Sequence, residues 1–227
     1  MAAGPAVAES RRWVIPVFAL GKCGDFSTSL SPGVLMSLIL ASNSIIRRAM
    51  LTQAGVEYSV VLPRFDERPI KDCHQDGDAE LALRLAEGKA SSILSDEDWV
   101  IGSDSVVSVD GVRYSKPADR DQAASHLRAF SGRTMLLSSA VAIANGGRID
   151  WSHAETARLQ VRPLSEAFIG AYLDSDWPEV AHCAGVFRME GPGVTLFETV
   201  EGNHFTILGM PLLPLLGALR ERGLMAS

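Results

Sequence analysis

The sequence predicts an α/β protein built on a mixed, partly antiparallel sheet. Three observations carry that expectation. A short apolar run at residues 38–41 is followed by Ser42-Asn43-Ser44 and then by a helical pattern, which reads as strand, turn and helix. A strongly apolar stretch at residues 99–109 ends on Asp110-Gly111, the best hairpin turn in the chain. Elsewhere strand-like and helix-like segments mix without the strict alternation of a purely parallel βαβ protein.

Taken in order, residues 38–41 read as a buried strand, and residues 45–54 as a helix closed by Gly55. Residues 57–62 read as a second strand, and residues 63–76 as irregular chain carrying Asp66-Glu67. The stretch 78–90 is helical, with Leu81, Leu85 and Lys89 spaced four apart on one stripe. After the hairpin turn, the return strand runs to Lys116-Pro117. Asp119 then caps a helix ending at Phe130, with Gly132 behind it. An apolar strand at 135–144 turns at Asn145-Gly146-Gly147. Residues 154–162 alternate, with Thr156, Arg158, Gln160 and Arg162 on one face and Ala157, Leu159 and Val161 on the other. A helix at 165–173 and a glycine-rich loop at 185–193 follow. A hairpin of 194–200 with 204–208 and a helix from Pro211 to Arg222 complete the chain.

The 227 residues are 47% hydrophobic and 21% charged, enough for a sizeable core in one domain with two lobes or in two small domains. A net charge of −6 argues against a general nucleic-acid binder, so any anion site must be a local basic cluster. Cys23, Cys73 and Cys183 show neither zinc nor disulfide spacing, and reduced thiols in a cytoplasmic protein are the simplest reading. No apolar run is long enough to span a bilayer. Residues 1–35 are rich in Ala, Gly, Ser and Pro and read as a disordered extension or an artefact of start-site choice. Met36 is then the alternative initiator, and residues 36–227 form the functional domain.

Arg47 and Arg48 fall in the first turn of a helix, at the positive end of its dipole, where cations are disfavoured and free N–H groups already point outward. Two readings are open: a polyphosphate partner at that end, or two solvated arginines at small cost. Asp104 lies in the middle of an apolar strand beside Gly102. A carboxylate there is paired, metal-bound, held for proton transfer, or satisfied structurally by backbone N–H groups. Lys89 either points inward along its leucine stripe or snorkels to water. Lys116 falls opposite Ser105 in the hairpin register, on the face away from Asp104, unless a bulge or the Pro117 bend redirects it. Glu67 with Asp104 would make an oxygen-rich Mg²⁺ site that also uses substrate phosphates, and alone is a solvated loop residue. Glu190 either accepts hydrogen bonds from a nucleobase or faces water.

These stretches together resemble the Maf family of nucleotide pyrophosphatases. The matching motifs are Leu38-Ile39-Leu40-Ala41-Ser42 with Ser44 and Arg47-Arg48, Asp66-Glu67, Leu85-Ala86 to Lys89-Ala90, and Ile101-Gly102-Ser103-Asp104. Lys116-Pro117, Ser131-Gly132, Ala184-Gly185, Glu190-Gly191 and Leu208-Gly209-Met210-Pro211-Leu212 complete the series. The resemblance implies an inosine triphosphatase-like fold, with an elongated mixed sheet, flanking helices and two lobes around a deep cleft. It also implies a homodimer, and cleavage of a nucleoside triphosphate to the monophosphate and pyrophosphate with a divalent cation, Mg²⁺ or Mn²⁺. Asp104 matches the residue proposed as proton acceptor, and Ser42, Arg47, Glu67, Lys89 and Lys116 match the other polar residues of the cleft. Ile46, Ser105 and Glu190 match the positions that set base specificity. Glu190 is similar to the 7-methyl-GTP branch, Ile46 and Ser105 match neither branch, and Ser115 replaces the glycine usual before Lys116-Pro117.

The chemistry expected is attack by water on the α-phosphorus, which needs charge neutralisation and in-line positioning more than covalent catalysis. Arg47, the helix N-terminus and Lys89 or Lys116 would hold phosphates, Glu67 and Asp104 the metal, and Asp104 the water's proton. Ser42 would donate to phosphate. A competing class is a nucleotide-binding regulator of cell division that inhibits septum formation with little turnover.

Overall fold

The computed structural model describes residues 37–73 and 76–226. The expected extension at 1–35 and the alternative initiator Met36 lie outside the described residues. The strands are β1 (Leu38–Ala41), β2 (Ser59–Val60), β3 (Trp99–Val109), β4 (Val112–Tyr114), β5 (Thr134–Asn145), β6 (Arg148–Val161) and β7 (Phe197–Glu201). They form one seven-stranded sheet in the order β2-β1-β3-β5-β6-β7, with β4 also paired to β3. The helices are α1 (Ile45–Gln53), α2 (Arg68–Cys73), α3 (Asp78–Ser91), α4 (Arg120–Phe130), α5 (Glu166–Asp176), α6 (His204–Ile207) and α7 (Leu212–Glu221).

The long strand β3 organises the molecule. One edge pairs antiparallel with β5 along its whole length, from Trp99↔Asn145 to Val109↔Met135. The other edge is shared. β1 runs parallel to its first half and stops at Ala41↔Gly102, whereas β4 joins antiparallel only from Val107↔Tyr114. Residues 103–106 therefore lie in a fork where the sheet has a strand on one side only. β1 is apolar at every position because a parallel strand is covered on both faces.

Side-chain alternation along β3 sorts the core. Ile101 joins Leu38, Leu40, Val141 and Ile143 in an apolar cluster under α1 and α7. Val107 and Val109, of the same parity, join Met135, Leu137, Leu159 and Leu173 in a second cluster with α4 and α5. These two cores share one face and are separated by Ser103, Ser105 and Ser139. The opposite face belongs to α3, whose Leu81, Ala82, Leu85, Ala86 and Ala90 are buried against Val106, Ala140, Ala142 and Ala144.

Several expected elements change in the structure. The second strand shrinks to Ser59–Val60, and the irregular stretch after Pro63 contains α2, whose Lys71 N–H donates to Glu67 O at 3.0 Å. The return strand stops at Tyr114 instead of Lys116. Pro117 has no N–H to continue a ladder, and the Ala118 N–H turns to the Gln122 side chain of α4 at 2.7 Å. β6 begins at Arg148, earlier than its clean alternation. The last expected hairpin is not formed: Pro192–Leu196 is a 3-10 helix, and 204–207 is α6. The side chain of Asn203 caps α6 by accepting from the Phe205 N–H at 2.9 Å, and this local bond overrides the β propensity of Phe-Thr-Ile.

Candidate active site

Gly102 sets the distance between β3 and α3. A β-carbon there would lie 2.2 Å from Ala86 O and 2.5 Å from Ala90 N, so the helix backbone rests directly on the strand. The close approach is made by helix, not ligand. It carries Lys89 inward, with its side chain 13% exposed. The Lys89 ammonium lies 3.1 Å from Asp104 Oδ2 and 2.8 Å from Glu67 Oε1. Glu67 is brought to this point by its neighbour Phe65, whose ring lies so close over Gly88 that a β-carbon there would meet it at 2.2 Å.

Lys71, one turn along α2, places Nζ 2.5 Å from Glu67 Oε2. Burial alone would push the Glu67 carboxyl upward. Hydrogen bonds and charge from Lys71 and Lys89 outweigh it and hold this group at about 2, well below its ordinary 4.5. Glu67 is thus a carboxylate at neutral pH.

Arg47 reaches the other side of the fork. Ser44 caps α1, its Oγ accepting from the Arg47 N–H at 3.4 Å, and Ser42 Oγ accepts from the Ser44 N–H at 3.2 Å. The buried Arg47 side chain donates from Nε to Gly209 O at 2.9 Å, from Nη1 to Ser103 O at 2.7 Å, and from Nη2 to Ser105 Oγ at 3.2 Å. Ser103 O is available because β1 has already ended. Nη2 also lies 4.0 Å from Asp104 Oδ1. Burial lowers the affinity of the guanidinium for its proton, and the charges of Asp104 and Glu67 oppose that effect.

Arg48 takes a different course. Its Nη2 donates to Asn43 O at 2.9 Å and to Asn43 Oδ1 at 3.1 Å, at the protein surface. Adjacent helical residues point about 100° apart, so the two arginines cannot share one acceptor. Carbonyls and carboxylates thus offset the helix-dipole penalty for Arg47, and the two oxygens of Asn43 do so for Arg48.

Arg47, Glu67, Lys89, Asp104 and Ser105 are therefore brought together, with Ser42 buried at the base of the turn. Lys116 and Glu190 are exposed, and both act on the Cys183 thiol. Burial, aided by Glu190 and opposed by Lys116, raises that thiol to about 11. Ile46 packs against the α1–α7 core. Among the described residues no hydrogen bond or ion pair joins Ile46, Ser105 and Glu190.

Two contributors were not anticipated from sequence. Lys71 was signalled only by its spacing of four from Glu67. Ser139 sits at a fully buried position of β5 directly opposite Ser105, and the pairing of two polar residues in apolar strands was the available clue.

The carboxylates fit a small hard cation. Mg²⁺ uses one or two protein carboxylates and completes its shell with water and substrate phosphate. Glu67 and Asp104 supply such a pair. No cluster of three or more His, Cys, Asp or Glu side chains suited to a metal is present among the described residues, so an all-protein cage is not offered.

Comparison with known proteins gives a consistent picture. The sequence profile of the family described as "Maf-like protein" matches residues 37–222. A "Nucleoside triphosphate pyrophosphatase" of Nitrobacter hamburgensis is 46% identical over 192 residues, covering 83% of this chain and 95% of that protein. A "7-methyl-GTP pyrophosphatase" of Rhizobium meliloti is 41% identical over 191 residues, covering 82% and 96%. Among solved structures, the Staphylococcus aureus Ham1 protein is 14% identical over 82% of this chain and 99% of that one. The TM-score is 0.42.

Proposed function

The chain belongs to the Maf-like protein family, and from that premise we propose that it hydrolyses the α–β phosphoanhydride of a nucleoside triphosphate, giving the monophosphate and pyrophosphate. One observation carries the assignment of the site. Lys89 bridges Glu67 and Asp104 at 2.8 and 3.1 Å, with Arg47 beside them, in the fork where β3 lacks a neighbour. With Lys71 on Glu67, two carboxylates face three cations, Arg47, Lys71 and Lys89, which leaves a net positive charge where a polyphosphate would enter.

Asp104 orients the attacking water and takes its proton. Lys89 exchanges a carboxylate oxygen for a phosphate oxygen as the nucleotide enters, and Lys71 keeps Glu67 charged. Lys116, exposed and on a different segment, meets the phosphate tail from outside. Glu67 and Asp104 would hold Mg²⁺ or Mn²⁺, which supplies neutralisation of the phosphate charge. Arg48 and the N-terminus of α1 add positive potential, and Ser42 holds the turn that presents them.

The relatives carry two names, and the base is read here as guanine-like. The Glu190 carboxylate is suited to accept from the N1–H and N2–H₂ edge of guanine, and a uracil edge offers no such pair. A cationic 7-methylguanine strengthens the attraction. A homodimer and a cytoplasmic location complete the reading. No helix among the described residues is long and apolar enough to cross a membrane.

The test is pyrophosphate release from a panel of nucleotides, including 7-methyl-GTP, with Mg²⁺ or Mn²⁺. Release from at least one triphosphate is expected. Nucleotide binding without release would replace the hydrolase by a nucleotide-binding regulator.

A further inference from the structure

Resting on the hydrolase reading, we infer that Ser105 and Ser139 are positioning residues. A one-way chain of hydroxyl hydrogen bonds runs from the Arg47 guanidinium through both serines and fixes that cation beside Asp104, and neither hydroxyl reads the base. Ser139 is fully buried and stands directly opposite Ser105 across the β3–β5 pair. A serine has a single hydroxyl hydrogen. Ser139 gives its own to Thr206 O at 2.8 Å, so in its 2.8 Å contact with Ser105 Oγ it accepts. Ser105 therefore donates to Ser139, the nearer of its two acceptors; Gly209 O lies at 3.2 Å. The lone pairs of Ser105 are left to accept from Arg47 Nη2 at 3.2 Å. The direction is fixed: Arg47, Ser105, Ser139, Thr206 O. A charged first donor polarises each later bond in such a chain.

The far end of the chain returns to the same cation. Thr206 belongs to α6, and its hydroxyl is anchored to Glu155. Just beyond α6, Gly209 turns its carbonyl onto Arg47 Nε at 2.9 Å. That turn has φ of +103°, which favours glycine, and a β-carbon there would lie 3.4 Å from Ser105 Oγ. Segment 206–209 thus grips the guanidinium from two directions, directly and through the serines. The plane of Arg47 is set, and the second hydrogen on Nη2 is left on the Asp104 side.

Three measurements decide the matter. In a turnover cycle, Ser105→Ala and Ser139→Ala each lower kcat about tenfold with KM little changed, and the double variant falls no further than either single one. Ser105→Thr, which keeps the hydroxyl, restores the rate. The ranking of a nucleotide panel is the same in Ser105→Ala as in the unmodified protein. Independently of turnover, side-chain ¹⁵N spectra assigned with Arg47→Lys show about tenfold faster guanidinium N–H exchange at Arg47 in Ser139→Ala. Additive losses in the cycle, an altered base ranking, or an unchanged Arg47 exchange rate overturns the proposal. If Ser139→Ala does not fold, Ser105→Ala and Ser105→Thr carry both the turnover and the exchange measurements. An unmodified protein that releases no pyrophosphate defeats the hydrolase reading, while the exchange measurement still judges the serine chain.

Discussion

The two faces of β3 at the fork make the instructive comparison. On one face Ser103 and Ser105 are tied to Arg47 and to β5 by hydrogen bonds of 2.7–3.2 Å. On the other, Asp104 meets Lys89 and through it Glu67, with side chains 15%, 13% and 29% exposed. Both faces hold charge in a mostly apolar sheet. The first is closed, most of its donors taken up by fixed acceptors, and so it holds the Arg47 guanidinium in one orientation beside Asp104. The second is only slightly more exposed than Arg47, but its partners are flexible side chains, so its contacts can be exchanged for those of a ligand. A buried, fully satisfied polar group stabilises a unique fold, and ion pairs between flexible side chains can trade partners.

Substitutions on the two faces should therefore part company. Asp104→Asn is expected to lower pyrophosphate release by about 10²–10⁴-fold while the circular dichroism spectrum and urea midpoint hold; undiminished release would remove Asp104 from the chemistry. Arg47→Ala should do the reverse in emphasis. It leaves buried carbonyls of Ser103 and Gly209 without their donor, and urea denaturation should report a loss of about 3 kcal/mol. Lys89→Ala, by contrast, should cost turnover with a smaller stability loss of about 1–2 kcal/mol, because Asp104 keeps Arg47 and Glu67 keeps Lys71 as cationic partners. A larger loss for Lys89 than for Arg47 would erase the distinction between the faces.

Gly102→Ala sharpens the comparison, because it acts on the helix that serves the Asp104 face. The added carbon must push α3 away from β3, with an expected destabilisation of about 1–3 kcal/mol and a fall in turnover as Lys89 retreats from Asp104. The pH dependence offers a smaller effect. Glu67 has its carboxyl depressed in the folded state, so it contributes stability that is fully present above 4.5. That contribution is lost as the pH falls from 4.5 towards about 2. Urea midpoints of the unmodified protein should drop through this window, and Glu67→Gln should flatten that part of the curve. The smallest effect on overall rate is expected from Glu190→Gln, which should reorder a nucleotide panel away from guanine-type bases. An unchanged order would end that role for Glu190.

Much of the Asp104 face was legible in the sequence. Asp104 stood out because an acidic residue in an apolar strand needs an explanation, and Lys89 because a cation continued a leucine stripe. The closed face was harder to read. Arg47 was marked by its place at a helix N-terminus, which pointed towards phosphate. The carbonyls of Ser103 and Gly209 that hold it are backbone groups 56 and 162 residues away, and no side-chain pattern announces them. Lys116 was difficult for another reason. Hairpin register places residues only while pairing lasts, and pairing ended at Tyr114. The failed hairpin at 194–208 shows a local cap defeating a propensity that would otherwise favour strand.

The sequence by itself determined the strand–turn–helix at the start of the sheet, the long central strand with its Asp110-Gly111 turn, the cap at Asp119, and the alternation of β6. All of these rest on interactions between near neighbours in the chain, which spacing and residue type specify. Only the tertiary structure decided that the sheet forks after Gly102, that Lys89 bridges Glu67 and Asp104, and that Arg47 is clamped by a distant turn. Those outcomes depend on how closely α3 and segment 206–209 approach β3. That distance is set by packing against glycine, alanine and serine at positions far apart in sequence.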